Sequence, residues 1–200
     1  MFLAAAAGAS EPTVLVFGDS LSAGYGIDVD QSWTALLQSR LESEGYEHQV
    51  VNASISGETT AGGASRIESA LEYFRPELLI LELGGNDGLR GFPPSRMKAN
   101  LKIIIETSRS SDTAVILLGI RIPTNYGARY TQAFESVYKE LAREHHLPWV
   151  EFFMDGVVLD EALMQDDGIH PNAKAQPILL DNAWPVIRRA LGEQAAASGR

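Results

Sequence analysis

Three short motifs in this 200-residue sequence contain side chains of the types that carry out chemistry. Gly18-Asp19-Ser20 supplies a hydroxyl, Gly84-Gly85-Asn86-Asp87 an amide, and Asp167-Gly168-Ile169-His170-Pro171 a carboxylate and an imidazole. A serine hydroxyl is a poor nucleophile near neutral pH and needs an adjacent base. Histidine suits that role because its ordinary pKa lies nearest neutrality. The motifs together indicate a hydrolase.

The spacing of these residues assigns a role to each. Ser20 is the candidate nucleophile and His170 its base. Asp167 precedes His170 by three residues, so one loop brings the carboxylate to the far ring nitrogen, where it would fix the tautomer and stabilise the imidazolium. The backbone N–H groups of Ser20 and Gly57 and the side-chain amide of Asn86 are candidate oxyanion donors, and losing one such donor costs on the order of 3 kcal/mol of barrier.

Taken one at a time, the same residues have ordinary structural interpretations. Ser20 alone is typical of a helix N-cap, and Gly57 alone of a turn that needs a flexible backbone. Asn86 alone is a turn residue, and Asp87 a helix cap. Asp19 is either a second acid or a residue that forms hydrogen bonds within its loop, and we favour the loop role.

Strand and helix patterns alternate along the chain. Continuous apolar runs predict five strands: Thr13–Phe17, Gln49–Asn52, Leu78–Leu83, Ala114–Ile120 and Trp149–Phe153. Apolar residues at helical spacing predict five helices: Trp33–Glu44, Ala64–Phe74, Ser95–Ser108, Tyr130–His145 and Gln176–Leu191. Such alternation predicts an α/β fold, a flavodoxin-like three-layer α/β/α sandwich around a five-stranded parallel sheet.

The candidate residues all follow predicted strands. Ser20 follows the first strand, Gly57 the second and Asn86 the third, while Asp167 and His170 follow the fifth. Because parallel strands end at the same edge of a sheet, we expect all five residues to meet there.

Composition excludes several classes of site and partner. The formal net charge is −10, which argues against nucleic acid or an anionic membrane surface as a main partner. Cysteine is absent, so a thiolate nucleophile and thiolate metal sites are excluded. No apolar run is long enough for stable membrane insertion, and no histidine has a paired ligand spacing. We expect no metal, no cofactor and a monomer.

The chain reads as one domain over residues 13–191. Residues 1–12 are either an N-terminal arm or the remnant of a signal peptide, because small residues at Ala7 and Ala9 resemble a cleavage site. A signal-peptide remnant implies a periplasmic or secreted protein, whereas an N-terminal arm leaves a cytoplasmic location open. Residues 192–200 are small and polar, and we expect a mobile tail.

Beyond the individual residues, the motif blocks resemble those of the SGNH (GDSL) hydrolases, in particular the bacterial thioesterase I, arylesterase and lysophospholipase group. The resemblance runs from Gly18-Asp19-Ser20-Leu21 to Asp167-Gly168-Ile169-His170-Pro171, with family-like blocks around Gly57 and Asn86 between. It implies Ser20 as nucleophile, His170 as base, and Gly57 and Asn86 as oxyanion donors. Asp166 competes with Asp167 for the acid role, and the family spacing to His170 favours Asp167.

The resemblance implies a serine hydrolase that cleaves carboxylic esters and acyl thioesters of medium-sized acyl groups without a cofactor. Two alternatives stay open: a carbohydrate acetylesterase of the same superfamily, and a non-catalytic binding module on a flavodoxin-like sheet. Two loops that follow strands are candidate acyl-binding segments. The first supplies Leu89 and Phe92, and the second supplies Pro123 and Tyr126.

Overall fold

Five parallel strands form the central sheet in a computed structural model, which describes residues 11–198. The strands are β1 (Thr13–Gly18), β2 (Gln49–Asn52), β3 (Leu78–Glu82), β4 (Ala114–Leu118) and β5 (Trp149–Val150). Their spatial order is β2-β1-β3-β4-β5, and every neighbouring pair is parallel. The prediction of an α/β fold with a five-stranded parallel sheet is confirmed.

Helices cover both faces of this sheet. They are α1 (Ser20–Ala23), α2 (Trp33–Ser43), α3 (Thr60–Phe74), α4 (Gly85–Leu89), α5 (Pro94–Ser110), α6 (Ala128–His145) and α7 (Gln176–Ser198). Side chains alternate along β1, so Val14 and Val16 pack on the face covered by α2 and α7, while Leu15 and Phe17 pack on the face covered by α3, α5 and α6. These are the two cores of the predicted three-layer sandwich.

Helix α6 shows how a sequence pattern becomes a packed face. Its apolar residues recur every three or four positions, and Phe134, Val137, Tyr138 and Leu141 are all buried in the second core. Tyr138 also uses its polar end, because its hydroxyl donates to the carbonyl oxygen of Leu83 over 3.0 Å. The helix is thereby anchored to the carboxyl end of β3, next to the candidate site.

Several predicted boundaries differ from the observed ones by one or more residues, and those of β5 and α3 are wrong for different reasons. β5 ends at Val150 rather than Phe153, because the chain leaves the sheet there, although the Phe153 N–H still donates to the Gly119 carbonyl oxygen over 2.8 Å. α3 begins at Thr60 rather than Ala64. Its first turns contain two glycines that argue against a helix, yet a Cβ on Gly63 would lie 2.5 Å from Leu83 Cδ1. Glycine is there because the helix packs closely against the sheet.

The ends of the chain are described only in part. The arm or signal-peptide remnant predicted for residues 1–12 lies, up to residue 10, outside the described residues. Helix α7 continues to Ser198, so residues 192–198, predicted as a tail, are helical. The mobility of this segment stays a prediction. Among the helices within residues 11–198, none has the length and apolar character that crossing a bilayer requires.

Candidate active site

The turn after β1 presents Ser20. β1 ends at Gly18, and Ser20 is the first residue of α1, with Asp19 as its N-cap. The Leu21 N–H donates to Asp19 Oδ1 over 3.2 Å, and the Gly18 N–H donates to Ser54 Oγ over 3.0 Å. These bonds hold the backbone on both sides of Ser20. The interpretation of Ser20 as an N-cap is therefore wrong, since Asp19 fills that position.

Ser20, His170 and Asp167 form a hydrogen-bonded chain across 150 residues of sequence. Ser20 Oγ lies 2.9 Å from His170 Nε2, and His170 Nδ1 lies 2.6 Å from Asp167 Oδ2. The other oxygen, Asp167 Oδ1, accepts the backbone N–H groups of Ile169 at 2.9 Å and His170 at 3.0 Å. The order hydroxyl, imidazole, carboxylate is the arrangement that activates a serine.

The structure also distinguishes the two adjacent acids. Asp167 makes all the carboxylate contacts to His170, whereas the exposed side chain of Asp166 makes no hydrogen bond within the described residues. Hydrogen bonds from the His170 side chain and from the backbone lower the pKa of Asp167 from 3.8 to about 2. Asp167 is therefore ionised at every pH at which an imidazole works as a base.

Asp19 lies directly behind the serine and is 2% exposed. Asn86 Nδ2 donates to Asp19 Oδ2 over 3.1 Å, which sets the orientation of the Asn86 amide. An amide nitrogen carries two hydrogens, so one N–H remains for a substrate. Burial raises the pKa of Asp19 from 3.8 to about 6, against the opposing effect of its hydrogen bonds to Leu21 and Asn86. The predicted loop role of Asp19 agrees with these contacts.

A second buried carboxyl group, Glu82, lies beneath this turn and was missed by sequence reasoning. It is fully buried at the end of β3, and Ser22 Oγ donates to its Oε2 over 2.7 Å. Burial raises the pKa of Glu82 well above 4.5, and the nearby charge of Asp19 adds to that rise. The only sequence signal is a carboxylate inside an otherwise apolar strand.

The remaining candidate oxyanion donor, Gly57, follows β2 in an exposed loop. Its φ of 80° lies in the left-handed region that favours glycine. Arg90 Nη2 donates to the Gly57 carbonyl oxygen over 3.2 Å. Asn86 lies in α4, at the same edge of the sheet. Ser20, Gly57 and Asn86 therefore all stand at the carboxyl ends of strands, as expected from the parallel topology.

A cavity of about 270 Å³ opens beside Ser20 and His170. Most of its wall is apolar, and it is lined by Leu21, Leu89, Ile120, Ile122, Pro123, Met154, Val158 and Ile169, together with Asp19, Ser20, Gly85, Asn86, Arg121, Gly168 and His170. An apolar cavity with a few polar groups at one end is typical of a site for a small molecule.

Two of the four candidate acyl-binding residues line this cavity. Leu89 and Pro123 lie on the cavity wall. Phe92 and Tyr126 are not among the described residues that line this cavity, and both are more than a third exposed. The Tyr126 hydroxyl instead donates to the Leu89 carbonyl over 2.8 Å.

Several wall residues escaped prediction because they come from parts of the chain with no motif. Met154 and Val158 follow β5, and Ile120 follows β4. Their only sequence signal is an apolar side chain after a strand, which is also the signal of a core residue. Tyr25 likewise carries no signal, yet its ring centroid lies 4.5 Å from that of His170.

Comparison with known proteins shows the family to which the chain belongs. The model of the GDSL-like lipase/acylhydrolase family matches residues 16–177. The chain is 49% identical over 183 residues to an esterase, TesA, of Pseudomonas aeruginosa, covering 92% of this chain and 91% of that protein. It is 45% identical over 173 residues to thioesterase 1/protease 1/lysophospholipase L1 of Escherichia coli (strain K12), covering 86% and 82%.

Solved structures agree with the sequence comparison. A crystal structure of TesA superposes with a TM-score of 0.87 at 49% identity, covering 89% of this chain and 99% of that one. The psychrotrophic esterase EstA from Pseudoalteromonas sp., inhibited by monoethylphosphonate, superposes with a TM-score of 0.86 at 39% identity, covering 90% and 98%. The chain therefore belongs to the GDSL-like lipase/acylhydrolase family.

Proposed function

We propose that this protein is a serine hydrolase that cleaves carboxylic esters through an acyl-enzyme intermediate at Ser20. The observation that carries the proposal is the continuous chain from Ser20 Oγ through the His170 ring to the Asp167 carboxylate, with contacts of 2.9 and 2.6 Å, at the mouth of an apolar cavity. Family membership supports the same reaction class.

The first half of the reaction follows from this geometry. His170 Nε2 takes the Ser20 proton as Oγ bonds to the ester carbonyl carbon, and the carbonyl electrons move to oxygen. The Ser20 and Gly57 N–H groups and the free Asn86 N–H donate to that oxygen. His170 then protonates the leaving alkoxide as its bond to carbon breaks, and Asp167 stabilises the imidazolium meanwhile.

The second half repeats these steps with water. His170 deprotonates a water molecule, which attacks the acyl carbon, and Ser20 Oγ leaves with the proton returned by the imidazolium. Every proton is carried by the imidazole, so no cofactor is needed. The same sequence cleaves a thioester, with a thiolate as the leaving group.

The substrate is a small ester or thioester with an apolar acyl chain. Leu89, Ile122 and Val158 are among the apolar side chains that line the cavity, and they suit an acyl chain better than an acetylated sugar, which would need polar contacts. The names of the relatives, which include esterase, thioesterase and arylesterase, support this substrate class. Export to the periplasm stays a proposal that rests on residues 1–10 of the sequence alone.

A series of p-nitrophenyl esters and acyl-CoA thioesters of increasing acyl length tests the proposal. We expect kcat/KM to rise with chain length, by up to about 0.8 kcal/mol for each methylene that enters the cavity. Ser20→Ala should abolish turnover of the whole series while the melting temperature stays close to that of the wild type. Substantial turnover by a folded Ser20→Ala protein would rule out the mechanism.

A further inference from the structure

Paired hydrogen bonds join the segment that carries Asn86 to the segment that carries Gly57. Asp87 follows Asn86 directly in α4 and is 3% exposed. Its carboxylate accepts from both polar groups of Thr60, the N–H over 2.8 Å at Oδ2 and the Oγ1–H over 2.6 Å at Oδ1. Thr60 is fully buried, begins α3 and lies three residues after Gly57.

A second bridge joins the same two segments at the surface. Arg90, at the end of α4, donates from Nη2 to the carbonyl oxygen of Gly57 over 3.2 Å. Gly57 has a left-handed backbone and no neighbouring heavy atom within 4 Å of the position a Cβ would take. Little packing surrounds this glycine, so its orientation depends on the bonds of its backbone.

We propose that Asp87 is a positioning residue for the oxyanion hole. Its two hydrogen bonds to Thr60 fix the separation of the Gly57 N–H and the Asn86 amide, and Arg90 adds a weaker restraint at the surface. The inference rests on the proposed function, in which those two groups donate to the developing oxyanion.

The topology explains why the two hydrogen bonds between Asp87 and Thr60, called the clamp from here on, are needed. Gly57 follows β2 and Asn86 follows β3, and these strands are not neighbours, because β1 lies between them. The sheet therefore sets the two loops at the same edge without fixing the distance between their tips. Oxyanion donors act within about 2.7–3.1 Å of the oxygen, and a misplacement of about 1 Å can cost on the order of 100-fold in rate.

The contacts are of a kind able to hold that distance. Both bonds end on a carboxylate, and hydrogen bonds to an ionised acceptor are roughly twice as strong as neutral ones. Both partners are shielded from water, so the bonds face little competition. Asn100 also donates to Thr60 Oγ1, over 3.1 Å, but it lies on α5 and does not join the Gly57 segment to the Asn86 segment.

A purely structural role for Asp87 would have a different signature. Asp87 also accepts from the first N–H of α3, so its loss must weaken that helix end to some degree. Loss of a helix cap lowers thermal stability but leaves kcat of the remaining folded enzyme unchanged. Loss of the clamp lowers kcat while KM changes little, because the oxyanion forms only in the transition state.

The test compares Asp87→Ala, Asp87→Asn and Thr60→Val with Asn100→Ala as the matched control and Thr60→Ser as the conservative variant. For each we would measure the melting temperature, kcat and KM on a p-nitrophenyl ester, and the rate of inactivation by an alkyl phosphonate. The phosphonate adduct is tetrahedral and places an oxygen in the oxyanion hole, so its rate of formation reports on the same donors.

We expect Asp87→Ala to lower kcat about 10- to 100-fold with KM within about threefold, and to slow phosphonylation similarly. Thr60→Val should lower kcat by a smaller factor, and the kcat values of Thr60→Ser and Asn100→Ala should stay within about twofold of the wild type. The double variant Asp87→Ala with Thr60→Val should have a kcat no lower than that of Asp87→Ala alone, because both substitutions break the same pair of hydrogen bonds. If Asp87→Ala does not fold, the kcat values of Asp87→Asn and Thr60→Val test the proposal instead.

Two results would overturn the clamp. One is wild-type kcat in folded Asp87→Asn and Thr60→Val, and the other is an equal loss of kcat in Asn100→Ala. Failure of the proposed function looks different, because the wild-type enzyme itself would then not be phosphonylated at Ser20. Wild-type labelling at Ser20 combined with unaffected variants rejects the clamp alone.

Discussion

The two oxygens of the Asp167 carboxylate perform separate tasks. Oδ2 accepts from the His170 ring, while Oδ1 accepts from the backbone N–H groups of Ile169 and His170. The carboxylate therefore folds its own loop and orients the imidazole at the same time. A pKa of about 2 follows from these bonds, and it keeps the acid ionised through the range in which the enzyme would work.

Asp167→Asn should lower kcat by orders of magnitude more than Asp166→Asn. The amide presents no second acceptor in place of the carboxylate, so His170 loses the partner that fixes its tautomer, whereas Asp166 makes no hydrogen bond to any residue that the structure describes. Steady-state kinetics of the two variants on one p-nitrophenyl ester, with circular dichroism to check folding, make the comparison. Equal losses of kcat in the two variants would mean that Asp167 maintains the conformation of its loop and does not act as the acid partner of His170.

The site residues that belong to a sequence motif could be predicted, and those outside a motif could not. Ser20, Asp167 and His170 stand in turns rich in glycine and proline, and the structure brings all three together. Glu82 could not be found this way, because its meaning depends on burial against Ser22, 60 residues away. Phe92 is predicted from the sequence to bind the acyl chain but is not among the described residues of the cavity wall, since an apolar residue beside a motif need not face the cavity.

At the scale of elements, the loop after α4 is held by tyrosines of neighbouring segments. Tyr126 donates to the Leu89 carbonyl over 2.8 Å, and Tyr130 donates to the Phe92 carbonyl over 2.7 Å. Leu89 lines the cavity, whereas Phe92 is not among the described residues that form its wall. We therefore expect Leu89, the last residue of α4, rather than Phe92 to contact an acyl chain.

Leu89→Ala should reduce kcat/KM for long acyl esters and leave short ones nearly unchanged. Each methylene that loses contact with the wall forfeits up to about 0.8 kcal/mol, so the deficit should grow with acyl length. Phe92→Ala is the matched control and should give a flat profile across a series of p-nitrophenyl esters. A length-dependent deficit in Phe92→Ala, with none in Leu89→Ala, would contradict this assignment of the wall.

The junction of β1, β3 and α1 holds two buried acids, and their raised pKa values carry a cost in stability. A carboxyl group whose pKa rises on folding stabilises the fold at low pH and loses that contribution as pH rises through the folded value. For Asp19, a rise from 3.8 to about 6 corresponds to roughly 3 kcal/mol lost by pH 8. Glu82 acts in the same direction.

Glu82→Gln should therefore gain stability relative to the wild type as pH rises. The neutral amide keeps an acceptor for Ser22 but has no charge to desolvate. Denaturant unfolding at pH 5 and pH 8 measures the difference, and Glu68→Gln, at an exposed position of α3, controls for the loss of one surface charge. A constant difference between Glu82→Gln and the wild type across this range would mean that folding does not raise the pKa of Glu82.

Element types were predictable from periodicity, whereas their ends depended on tertiary contacts. The buried face of α6 is recognisable from apolar residues at helical spacing. The start of α3 is hidden, because Gly62 and Gly63 look like a loop until the packing of Gly63 against Leu83 is known. The short β5 is likewise set by where the sheet ends and not by the apolar run itself.

At the scale of the whole molecule, strand order explains the position of the site. In the order β2-β1-β3-β4-β5, the chain runs outward in opposite directions from β1 and β3, and ligands bind where the order reverses. Ser20 follows β1 and Asn86 follows β3, so the candidate nucleophile and an oxyanion donor flank this switch point. Topology thus brings together residues that no local motif connects.

We expect the protein to be a monomer. With a formal net charge of −10, two copies repel each other, and the repulsion is strongest at low ionic strength. Sedimentation velocity at low and at high salt should give the mass of one chain in both conditions. A stable dimer at low salt would show that a surface of the molecule overcomes this repulsion.

Identification of the residue that an alkyl phosphonate modifies tests directly whether Ser20 is the nucleophile. We expect one adduct per chain, on Ser20 alone, as located by mass spectrometry of the peptides, with no adduct on Ser20→Ala and much slower labelling of His170→Ala. Labelling follows the same activation of the hydroxyl as ester cleavage. An adduct on another residue, or none on a fully active enzyme, would contradict the assignment of Ser20 as the nucleophile.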